Sequence, residues 1–512
     1  MSGLLEIRSY PDVLRAFRWE ALWKLFDGDR DRLNLAHECV DRHVGRGTAL
    51  RIKFDDGRVE EHGFRELAAW SSRFANLLTR RGVEHGDRVA IMLDPSLPFY
   101  GALFSAIKRG AIAVPLFTLF GPDGVASRVD DCRPKLLLVE RDARRWRSIF
   151  PDLDVLSVDE VADRLADERD QYAPRTAATD LAVFQYTSGT TRGLPEAVRH
   201  THRAVVTLMV AALYGVGLAP GDSYFCPSSP AWGHGLWHGT IAPLALGVAV
   251  GAYSGKFHAG RLAEALEEFR VTNLAAAPTV FRMLRGSGLA DGRRFALERI
   301  SFTGEPMDSR TWQWVEKAFG VTPCGMYGST EVGVIIVNYP GFTGYVVKPG
   351  ALGRSAPGWE VAVVDARGEP LPSGTVGEIA VRRKDGWFRV RDRGWMDEEG
   401  YFHHEGRSDD VIISAGWTMS AAEIEDALLS HPDVREAAVV AAPDELRGHI
   451  PKAYVVSERT GSAFARELQE WVGARLSQHE YPRAVELVEE LPKTPAGKTD
   501  RQALRARARG RT

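Results

Sequence analysis

Residues 185–204 read QYTSGTTRGLPEAVRHTHRA, and this stretch indicates how the rest of the chain is organised. Apolar Leu181, Val183 and Phe184 lead into it as a buried strand, and a helical pattern begins near Ala204, which predicts a strand, a loop and a helix. The loop combines hydroxyl side chains with glycines whose neighbouring N–H groups can turn towards a ligand. We therefore expect it to bind phosphate oxygens, and a plain surface turn is the alternative for such a cluster taken alone.

The composition is that of an ordinary globular enzyme with room for more than one domain. With 512 residues the chain exceeds what one hydrophobic core usually supports, and 44% hydrophobic and 26% charged residues are average values. A formal net charge of −3 gives no overall attraction to nucleic acid or to an anionic membrane. We expect no nucleic-acid partner, and any affinity for phosphate must be local.

The distribution of charges and cysteines predicts a cytoplasmic location. Charges interrupt the N-terminal apolar residues before a signal-peptide core could form, and no later run approaches ~18 uninterrupted apolar residues, so no integral membrane segment is expected. The cysteines, at positions 39, 132, 226 and 324, are too far apart for a C-x-x-C metal site or a dense disulfide framework. We expect them to be buried free thiols.

Helical and strand-like segments alternate over residues 61–150 and again over 203–300. Apolar runs such as IAVPLF and KLLLVE are typical of strands buried on both faces, so the prediction is α/β: a large N-terminal domain with doubly wound, mainly parallel sheets. Residues 351–405 favour a small antiparallel β subdomain, and the chain beyond Arg407 favours a small α+β C-terminal domain ending in a solvated basic tail at 505–512. Ligands should bind beyond the carboxyl ends of the parallel strands.

Two further stretches gather residues suited to ligand binding. Residues 228–239, SSPAWGHGLWHG, place tryptophans and histidines among glycines, which can wall a pocket for an apolar ligand or simply form core and turns. Residues 327–331, YGSTE, place an aromatic ring, two hydroxyls and a carboxylate within five positions. Such a set can stack a base, contact a phosphate and hold a hard cation, and a solvated hairpin is the alternative.

Several motifs recur in a fixed order along the chain: TSGTT at 187–191, GEP at 304–306, YGSTE at 327–331, Asp392, GRSDD at 406–410 and PKTPAGK at 492–498. Together they resemble the adenylate-forming superfamily, specifically the acyl-CoA synthetases for medium-chain or aromatic acids. The resemblance implies an adenylation domain at 1–406 and a mobile lid domain at 407–512. It also implies that ATP and a carboxylic acid form an acyl-adenylate, with Mg2+ as cofactor, before coenzyme A displaces AMP.

The resemblance implies roles for individual residues, because a carboxylate can attack a phosphate only where cations and oriented donors offset the charge between them. Lys498 would bridge the two anions, Thr330 would donate to the α-phosphate, and Glu331 would bind Mg2+. The residues implied in nucleotide binding are Thr187, Ser188, Gly189, Thr190, Thr191, Gly304, Glu305, Pro306, Tyr327, Gly328, Ser329, Asp392 and Arg407. Asp409 is implied as the hinge between the domains, and the tunnel for coenzyme A as lined by Ser414, Ala415, Gly416 and Trp417.

The phosphate loop departs from the family pattern. Arg192 is inserted there, and Glu196 stands where relatives carry a lysine. We hypothesise that Arg192 supplies the missing cation. Thr418 also stands where relatives often carry a basic residue, so part of the expected contact with coenzyme A is altered.

The choice of acid is the least determined part of the resemblance. Acetate-specific relatives carry a tryptophan in the position of Gly328, so we expect this glycine to leave room for a medium-chain, aromatic or alicyclic acid. The expected acyl pocket comprises Trp232, Gly233, Gly235 and Gly328. Two other functions stay open, an adenylation enzyme that loads a carrier protein's phosphopantetheine and a nucleotide-binding pseudoenzyme, as does assembly into a homodimer.

Overall fold

The computed structural model describes residues 2–186, 197–304, 307, 309–329, 331–407, 411–414, 417–477, 479–492 and 499–510. The chain divides into two compact units. The larger unit comprises Met1–Phe117, Pro134–Gln185 and Val198–Ser408, and the smaller unit comprises Thr118–Arg133, Tyr186–Ala197 and Asp409–Thr512. Two short segments from the N-terminal half thus join the C-terminal residues in one unit, and the boundary at 406/407 stays a prediction.

The chain begins with short helices and a β-hairpin that joins a sheet edge. These elements are α1 (Ser2–Glu6), α2 (Tyr10–Ala16), α3 (Trp19–Trp23), α4 (Leu35–Cys39), β1 (Thr48–Phe54) and β2 (Val59–Gly63). Asn34 begins α4, because its side-chain oxygen accepts hydrogen bonds from the N–H groups of Ala36 and His37.

A six-stranded sheet carries the first αβ repeat. Its strands are β3 (Arg88–Met92), β4 (Ile112–Pro115), β5 (Leu136–Val139), β6 (Asp154–Ser157), β7 (Leu181–Tyr186) and β8 (Ala197–Thr201). The accompanying helices are α5 (Phe64–Arg80), α6 (Leu97–Arg109), α7 (Pro122–Cys132), α8 (Ala143–Ile149) and α9 (Val158–Leu165). The strand order is β6-β5-β3-β4-β7-β8, and β3 to β7 pair in parallel. Every residue of β4 and β5 is buried, as expected for strands covered on both faces.

A thirteen-stranded sheet carries the second repeat and the antiparallel subdomain. Its further strands are β9 (Tyr224–Cys226), β10 (Val250–Ser254), β11 (Asn273–Ala276), β12 (Arg299–Phe302), β13 (Pro323–Ser329), β14 (Gly333–Val337), β15 (Ala351–Ser355), β16 (Val361–Val364), β17 (Gly377–Arg383), β18 (Gly386–Met396) and β19 (Phe402–Arg407). The order is β16-β17-β18-β19-β15-β14-β13-β12-β11-β9-β10-β1-β2. Pairing is parallel from β13 to β1 and antiparallel beyond β13, which confirms the predicted fold class of this part.

The helices of this region include two π-helical segments. The α-helices are α10 (Ala204–Val210), α11 (Ala242–Ala245), α12 (Ala259–Glu268), α13 (Pro278–Ser287) and α14 (Ser309–Phe319). The π-helices span Ala211–Gly215 and His234–Ile241. Segments with this wider hydrogen bonding are rare and frequently occur at functional sites. The sequence predicted a helix in both places, without the change of winding.

The stretch around residue 185 differs in one respect from the prediction. β7 confirms the predicted strand, and α10 begins at Ala204 as expected. Residues 197–201, however, form β8 beside β7, so the order is strand, loop, strand and helix. The sequence AVRHT gives no apolar run because four of its five residues are partly or fully exposed at the sheet edge.

The smaller unit forms the predicted α+β arrangement. Beyond residue 410 it contains β20 (Val411–Ser414), β21 (Trp417–Ser420), α15 (Ala421–Leu429), β22 (Val434–Asp444), β23 (Gly448–Ser457), α16 (Ser462–Arg475), β24 (Ala484–Val488) and α17 (Arg501–Ala508). Residues 505–510 are exposed or partly exposed, as expected of a solvated tail, but residues 505–508 are helical and belong to α17, which the sequence did not predict. Arg501 of this helix donates to both carboxylate oxygens of Glu425 at 2.7 Å, and Leu504 is buried.

Two further expectations concern cysteines and membrane segments. The four cysteines are free and buried, which confirms that prediction. Within the described part of the chain, the helices are all too short or too polar to cross a membrane.

Candidate active site

Four adjacent parallel strands end at one edge of the thirteen-stranded sheet, and predicted site residues follow three of them. The order there is β13-β12-β11-β9. Gly304 follows β12, residues 327–329 end β13, and residues 228–241 follow β9. Neighbouring strands lie about 4.8 Å apart, so roughly 14 Å separates β9 from β13. We call Thr303, Gly304, residues 327–331 and Asp392 the β13 side, and residues 228–241 with Gln185 and His200 the β9 side.

On the β13 side, the ends of β12 and β13 are held together by a side-chain hydrogen bond. The Thr303 hydroxyl donates to the carbonyl of Met326 at 2.9 Å. The next residue, Gly304, has a φ of +96°, a conformation that residues with a Cβ rarely adopt. The backbone can therefore turn here to face a ligand, as the sequence predicted for this glycine. Glu305 and Pro306 lie outside the described residues.

Asp392 and Tyr327 form the best-defined contact of the predicted site, although 65 residues separate them. The Tyr327 hydroxyl donates to Asp392 Oδ2 at 2.7 Å, and Asp392 is buried, with only 7% of the residue exposed. His404, which the sequence analysis did not single out, places Nε2 3.6 Å from Asp392 Oδ1. The structure thus fixes a buried carboxylate beside an aromatic ring, as a ribose and adenine site requires.

Arg407 lies directly opposite Asp392, because the two residues are register partners in the β18–β19 pair. Because Asp392 and Arg407 are far apart in the sequence, the sequence alone does not show that they are neighbours. The signal that could have found His404 is its position on the same strand as Arg407, within FHHEGR at 402–407.

Glu331 is placed where its carboxylate can reach a cation. The residue is exposed, its backbone carbonyl accepts a hydrogen bond from Arg383 at 2.7 Å, and its carboxylate has no hydrogen bond or ion pair with another described residue. The described residues contain no cluster of three or more metal-ligating side chains. A single carboxylate of this kind fits Mg2+, which is usually held by one or two carboxylates together with substrate phosphates.

Gly328 does not leave the room that the sequence analysis expected of it. A Cβ built on this residue would lie 1.9 Å from the carbonyl oxygen of Gly333 on the paired strand β14. The absence of a side chain is therefore required by the β13–β14 approach, and the space is filled by backbone. Beside it, Ser329 Oγ is buried and has no hydrogen-bond partner within the described part of the chain.

The glycines of the β9 side are likewise required by close packing. A Cβ on Gly235 would lie 2.1 Å from the carbonyl oxygen of Ser229, and a Cβ on Gly233 would lie 2.4 Å from Nε2 of Gln185. Trp232 is half-buried, and its ring centroid lies 5.7 Å from that of His234. The π-helix is thus pressed against residues 228–229 and against the end of β7.

Gln185, the last residue of the larger unit on β7, ties the π-helix to the end of that strand. Trp237 Nε1 donates to Gln185 Oε1 at 2.7 Å, and the His200 ring lies 4.7 Å from the Trp237 ring. The sequence analysis missed both Gln185 and His200. A polar residue at the end of an apolar strand, as in LAVFQY, is the signal that indicates such a contact.

Burial keeps the histidines of the β9 side uncharged at neutral pH. It lowers the pKa of His234 to about 3, with a further contribution from His238, and the pKa values of His238 and His200 to about 4. His234 Nδ1 lies 3.0 Å from the Ser228 hydroxyl. These rings therefore offer hydrogen bonds without permanent charge.

In the smaller unit, Ser414 and Trp417 are paired across the β20–β21 hairpin. Ser414 is buried, and the Trp417 ring stacks on His479 at 4.3 Å. The remaining predicted residues lie outside the described residues, and their roles stay predictions. They are Thr187, Ser188, Gly189, Thr190, Thr191, Arg192, Glu196, Glu305, Pro306, Thr330, Asp409, Ala415, Gly416 and Lys498.

Comparison with known proteins adds to this geometry. A family model described as AMP-binding enzyme matches residues 40–389, and one described as AMP-binding enzyme C-terminal domain matches residues 423–498. An acetyl-coenzyme A synthetase of Bacillus subtilis is 31% identical over 99% of this chain and 96% of its own. A crystal structure of an acyl-CoA synthetase of Brucella canis has 30% identity and a TM-score of 0.74, covering 98% of this chain and 99% of its own. The amide bond synthetase McbA of Marinactinospora thermotolerans has 25% identity and a TM-score of 0.81, covering 93% and 99%.

Proposed function

Because this chain belongs to the family of AMP-binding enzymes, we propose that it is an AMP-forming acyl-CoA ligase. It activates a carboxylic acid with ATP to an acyl-adenylate, releasing pyrophosphate, and transfers the acyl group to coenzyme A, releasing AMP. The observation that carries this proposal is the buried Asp392 carboxylate held by the Tyr327 hydroxyl at the carboxyl end of β13. Both residues lie within the described part of the larger unit.

The β13 side supplies the nucleotide contacts. Asp392 accepts hydrogen bonds from the ribose hydroxyls, Tyr327 stacks on the adenine, and the turn at Gly304 brings backbone groups to the nucleotide. Ser329 Oγ, buried without a described partner, is available to donate to a phosphate oxygen. Glu331 binds Mg2+, which when present offsets phosphate charge during the attack of the carboxylate.

The remaining steps depend mostly on residues outside the described part of the chain, with Ser414 and Trp417 as the exceptions. Lys498 bridges the substrate carboxylate and the α-phosphate, Thr330 donates to that phosphate, and Arg192 offsets charge in the phosphate loop. Asp409 is the hinge between the two half-reactions, and Ser414 to Trp417 line the path of pantetheine. These assignments rest on the sequence motifs, and a homodimer and a cytoplasmic location also stay predictions.

The acid is proposed to occupy the β9 side. Trp232 and the π-helix at His234–Ile241 provide aromatic and apolar walls suited to a medium-chain, aromatic or alicyclic group. Gly328 does not support the choice of a bulky acid, because the backbone of Gly333 occupies the space beside it. The support for a bulky acid therefore comes from the β9 side alone.

One assay tests the proposal: acid-dependent release of pyrophosphate over a panel of carboxylic acids, with and without coenzyme A. We expect release with several acids and a CoA thioester only when coenzyme A is present. Pyrophosphate release that never yields a thioester would favour a carrier protein as the acceptor. No release with any acid would favour a nucleotide-binding pseudoenzyme and contradict the proposal.

A further inference from the structure

Three histidines on the β9 side bury a ring nitrogen that has no hydrogen-bond partner within the described part of the chain. They are His200 Nε2, His234 Nε2 and His238 Nδ1. His234 and His238 lie four residues apart in the π-helix with ring centroids 5.8 Å apart, and His200 packs on Trp237 of the same helix. Among the described residues, only His43 and His202 have other buried imidazole nitrogens of this kind, so most of them converge here.

Such a group of unpaired nitrogens is costly in a folded protein. A buried polar atom without a partner loses its hydration and gains nothing in return, so native structures pair nearly all of them. A single orphan can be an accident of packing, whereas two on one π-helix and a third on a ring that packs against the same helix are the arrangement expected of a site that a polar ligand completes. The segment is also π-helical, a winding that is rare and is frequently found at functional sites.

The contacts around these rings leave them able to bind a neutral polar group. The Ser228 hydroxyl lies 3.0 Å from His234 Nδ1, which holds the ring and leaves Nε2 pointing elsewhere. Gln185 Oε1 accepts from Trp237 Nε1 at 2.7 Å, and Gln185 forms no hydrogen bond with His234 among the described residues. Because the imidazoles are uncharged, each offers one donor and one acceptor and no compensation for a second carboxylate.

We propose that His234 and His238 are specificity-determining residues of the acyl pocket, which selects an acid carrying a hydroxyl or carbonyl oxygen on its acyl group over a pure hydrocarbon acid. This inference rests on the proposed function, because it assumes that the acid enters the β9 side. It narrows the substrate class from a medium-chain, aromatic or alicyclic acid to one with a hydrogen-bonding substituent remote from its carboxylate. A site built to bond a hydroxyl rejects the analogue that lacks it far more strongly than an apolar pocket rejects a change of size.

The test compares acids that differ only in that substituent. Hexanoic acid and benzoic acid are each assayed with their hydroxylated forms and with forms carrying a methyl group at the same position, which matches the size of the hydroxyl. Pyrophosphate release gives kcat/KM for each acid. Calorimetry gives Kd for the matching acyl-sulfamoyl adenosines, stable analogues of the adenylates, so that pocket selectivity is measured without catalysis.

In the wild-type protein we expect the best hydroxylated acid to exceed its methyl counterpart by at least about 10-fold in both measurements. His234→Leu and His238→Leu should bring that ratio close to one, and His234→Asn, which keeps hydrogen-bonding atoms, should restore part of it. His202→Asn is the matched control, since it changes a buried imidazole with an orphan nitrogen outside the β9 side. That variant should keep the wild-type ratio whatever it does to stability.

Several outcomes overturn the inference. Methyl acids that equal or exceed the hydroxylated acids in the wild type would show that the rings are apolar packing, and an unchanged ratio in both leucine variants would show that they do not contact the acid. A preference for dicarboxylic acids would require a charged partner that these histidines do not provide. If no acid releases pyrophosphate but the analogues keep their Kd ratio, the proposed function fails and the selectivity of the pocket stands.

Discussion

The two sides of the sheet edge differ in how their polar groups are satisfied. On the β13 side, the Tyr327 hydroxyl donates to the Asp392 carboxylate and Thr303 ties β12 to β13, while Ser329 Oγ is buried without a hydrogen-bond partner among the described residues. On the β9 side, three imidazoles bury a ring nitrogen for which the described residues provide no partner. The β13 side is thus organised largely by bonds within the protein, whereas the β9 side keeps more polar atoms for a ligand to pair.

This difference corresponds to what each half of the substrate demands. Every acid requires the same nucleotide, so the groups that bind it can be fixed by the protein itself, which reduces reorganisation during the reaction. The acid differs among the proteins that this chain resembles, one of which is named for acetyl groups and another for amide bonds. Variants on the β13 side should therefore change the rate with all acids alike, and variants on the β9 side should change the preference among them.

The largest expected effect is that of Lys498→Ala, which removes the cation proposed to bridge the two anions. We expect adenylation to fall by about 10²-fold or more, by analogy with the loss of one oriented donor, for every acid in equal proportion. Thioester formation from supplied acyl-adenylate should be largely preserved. Rates of the two half-reactions, measured separately by rapid quench, check this.

Lys493→Ala is the control for Lys498→Ala, because it removes the same charge five residues earlier in the same PKTPAGK motif. It should leave adenylation within about 2-fold of the wild type, as expected of a solvated lysine. Equal losses in both half-reactions of the Lys498 variant would contradict the assignment.

The next largest effect is expected at Asp392. Asp392→Asn replaces a charged acceptor with a neutral amide, and hydrogen bonds to charged groups contribute about 1.5–3 kcal/mol, which corresponds to roughly a 10- to 100-fold rise in KM for ATP. Tyr327→Phe keeps the ring and loses only the hydroxyl, so its effect should be smaller. Initial rates at varied ATP, with two different acids, measure both variants.

Asp385→Asn makes the same change at an exposed position in the turn between β17 and β18, and we expect it to leave KM for ATP unchanged. If Asp392→Asn changed the ratio of the rates measured with the two acids, the β13 side would also affect the choice of acid. That result would contradict the separation of the two sides.

The sequence predicted the β13 side better than the β9 side for a physical reason. Tyr327, Gly328 and Ser329 are contiguous, so their motif can be read directly from the sequence, and the parallel strands β12 and β11 that follow in the sheet are short and almost entirely buried. The pairing of Asp392 with Tyr327 and the nearness of His404 depend on strand register, which the sequence alone does not give. The family resemblance predicted a role for Asp392 without knowledge of the strand register. It predicted no role for His404.

The sequence also could not predict where two backbone segments approach each other closely. From the sequence, Gly328 and Gly235 were expected to leave space for a substrate. In the structure, a Cβ built on either residue would collide with a backbone carbonyl oxygen. The helix α17 was missed because its basic residues favour a solvated tail, whereas in the structure it packs against β22 through Leu504 and forms an ion pair with α15 through Arg501 and Glu425. β8 was missed because an edge strand lacks an apolar run.

A third prediction concerns the packing that shapes the β9 side. Gly235→Ala would place a methyl group 2.1 Å from the Ser229 carbonyl oxygen, so the π-helix or residues 228–229 must move. Overpacking of this kind lowers the free energy of unfolding by about 1–3 kcal/mol. We expect KM for the acid to rise while KM for ATP stays constant, and urea unfolding measures the stability.

Gly286→Ala is the matched control, because this glycine lies within α13 and a Cβ there would meet nothing within 4 Å. It should be neutral or raise the free energy of unfolding by up to about 1 kcal/mol through helix propensity. A Gly235 variant as stable as the wild type, with unchanged KM for the acid, would show that the helix adapts without cost.

The smallest expected effect is the contribution of a single β9-side histidine to the pH dependence of stability. Burial lowers the pKa of His234 to about 3 from its ordinary value of 6.5, so below pH 6.5 the unfolded chain binds a proton that the folded protein does not. Stability is therefore lost as the pH falls, and at pH 5.5 this one group should reduce the free energy of unfolding by roughly 1.4 kcal/mol relative to pH 7.5.

His234→Gln, which cannot take up that proton, should show a correspondingly smaller loss between the two pH values in urea unfolding. His202→Asn should do the same, because burial also lowers the pKa of His202, to about 4, outside the β9 side. If the wild type and both variants lose equal stability on acidification, these imidazoles are hydrated in the folded protein, and their buried nitrogens are already paired with water rather than kept for an acid.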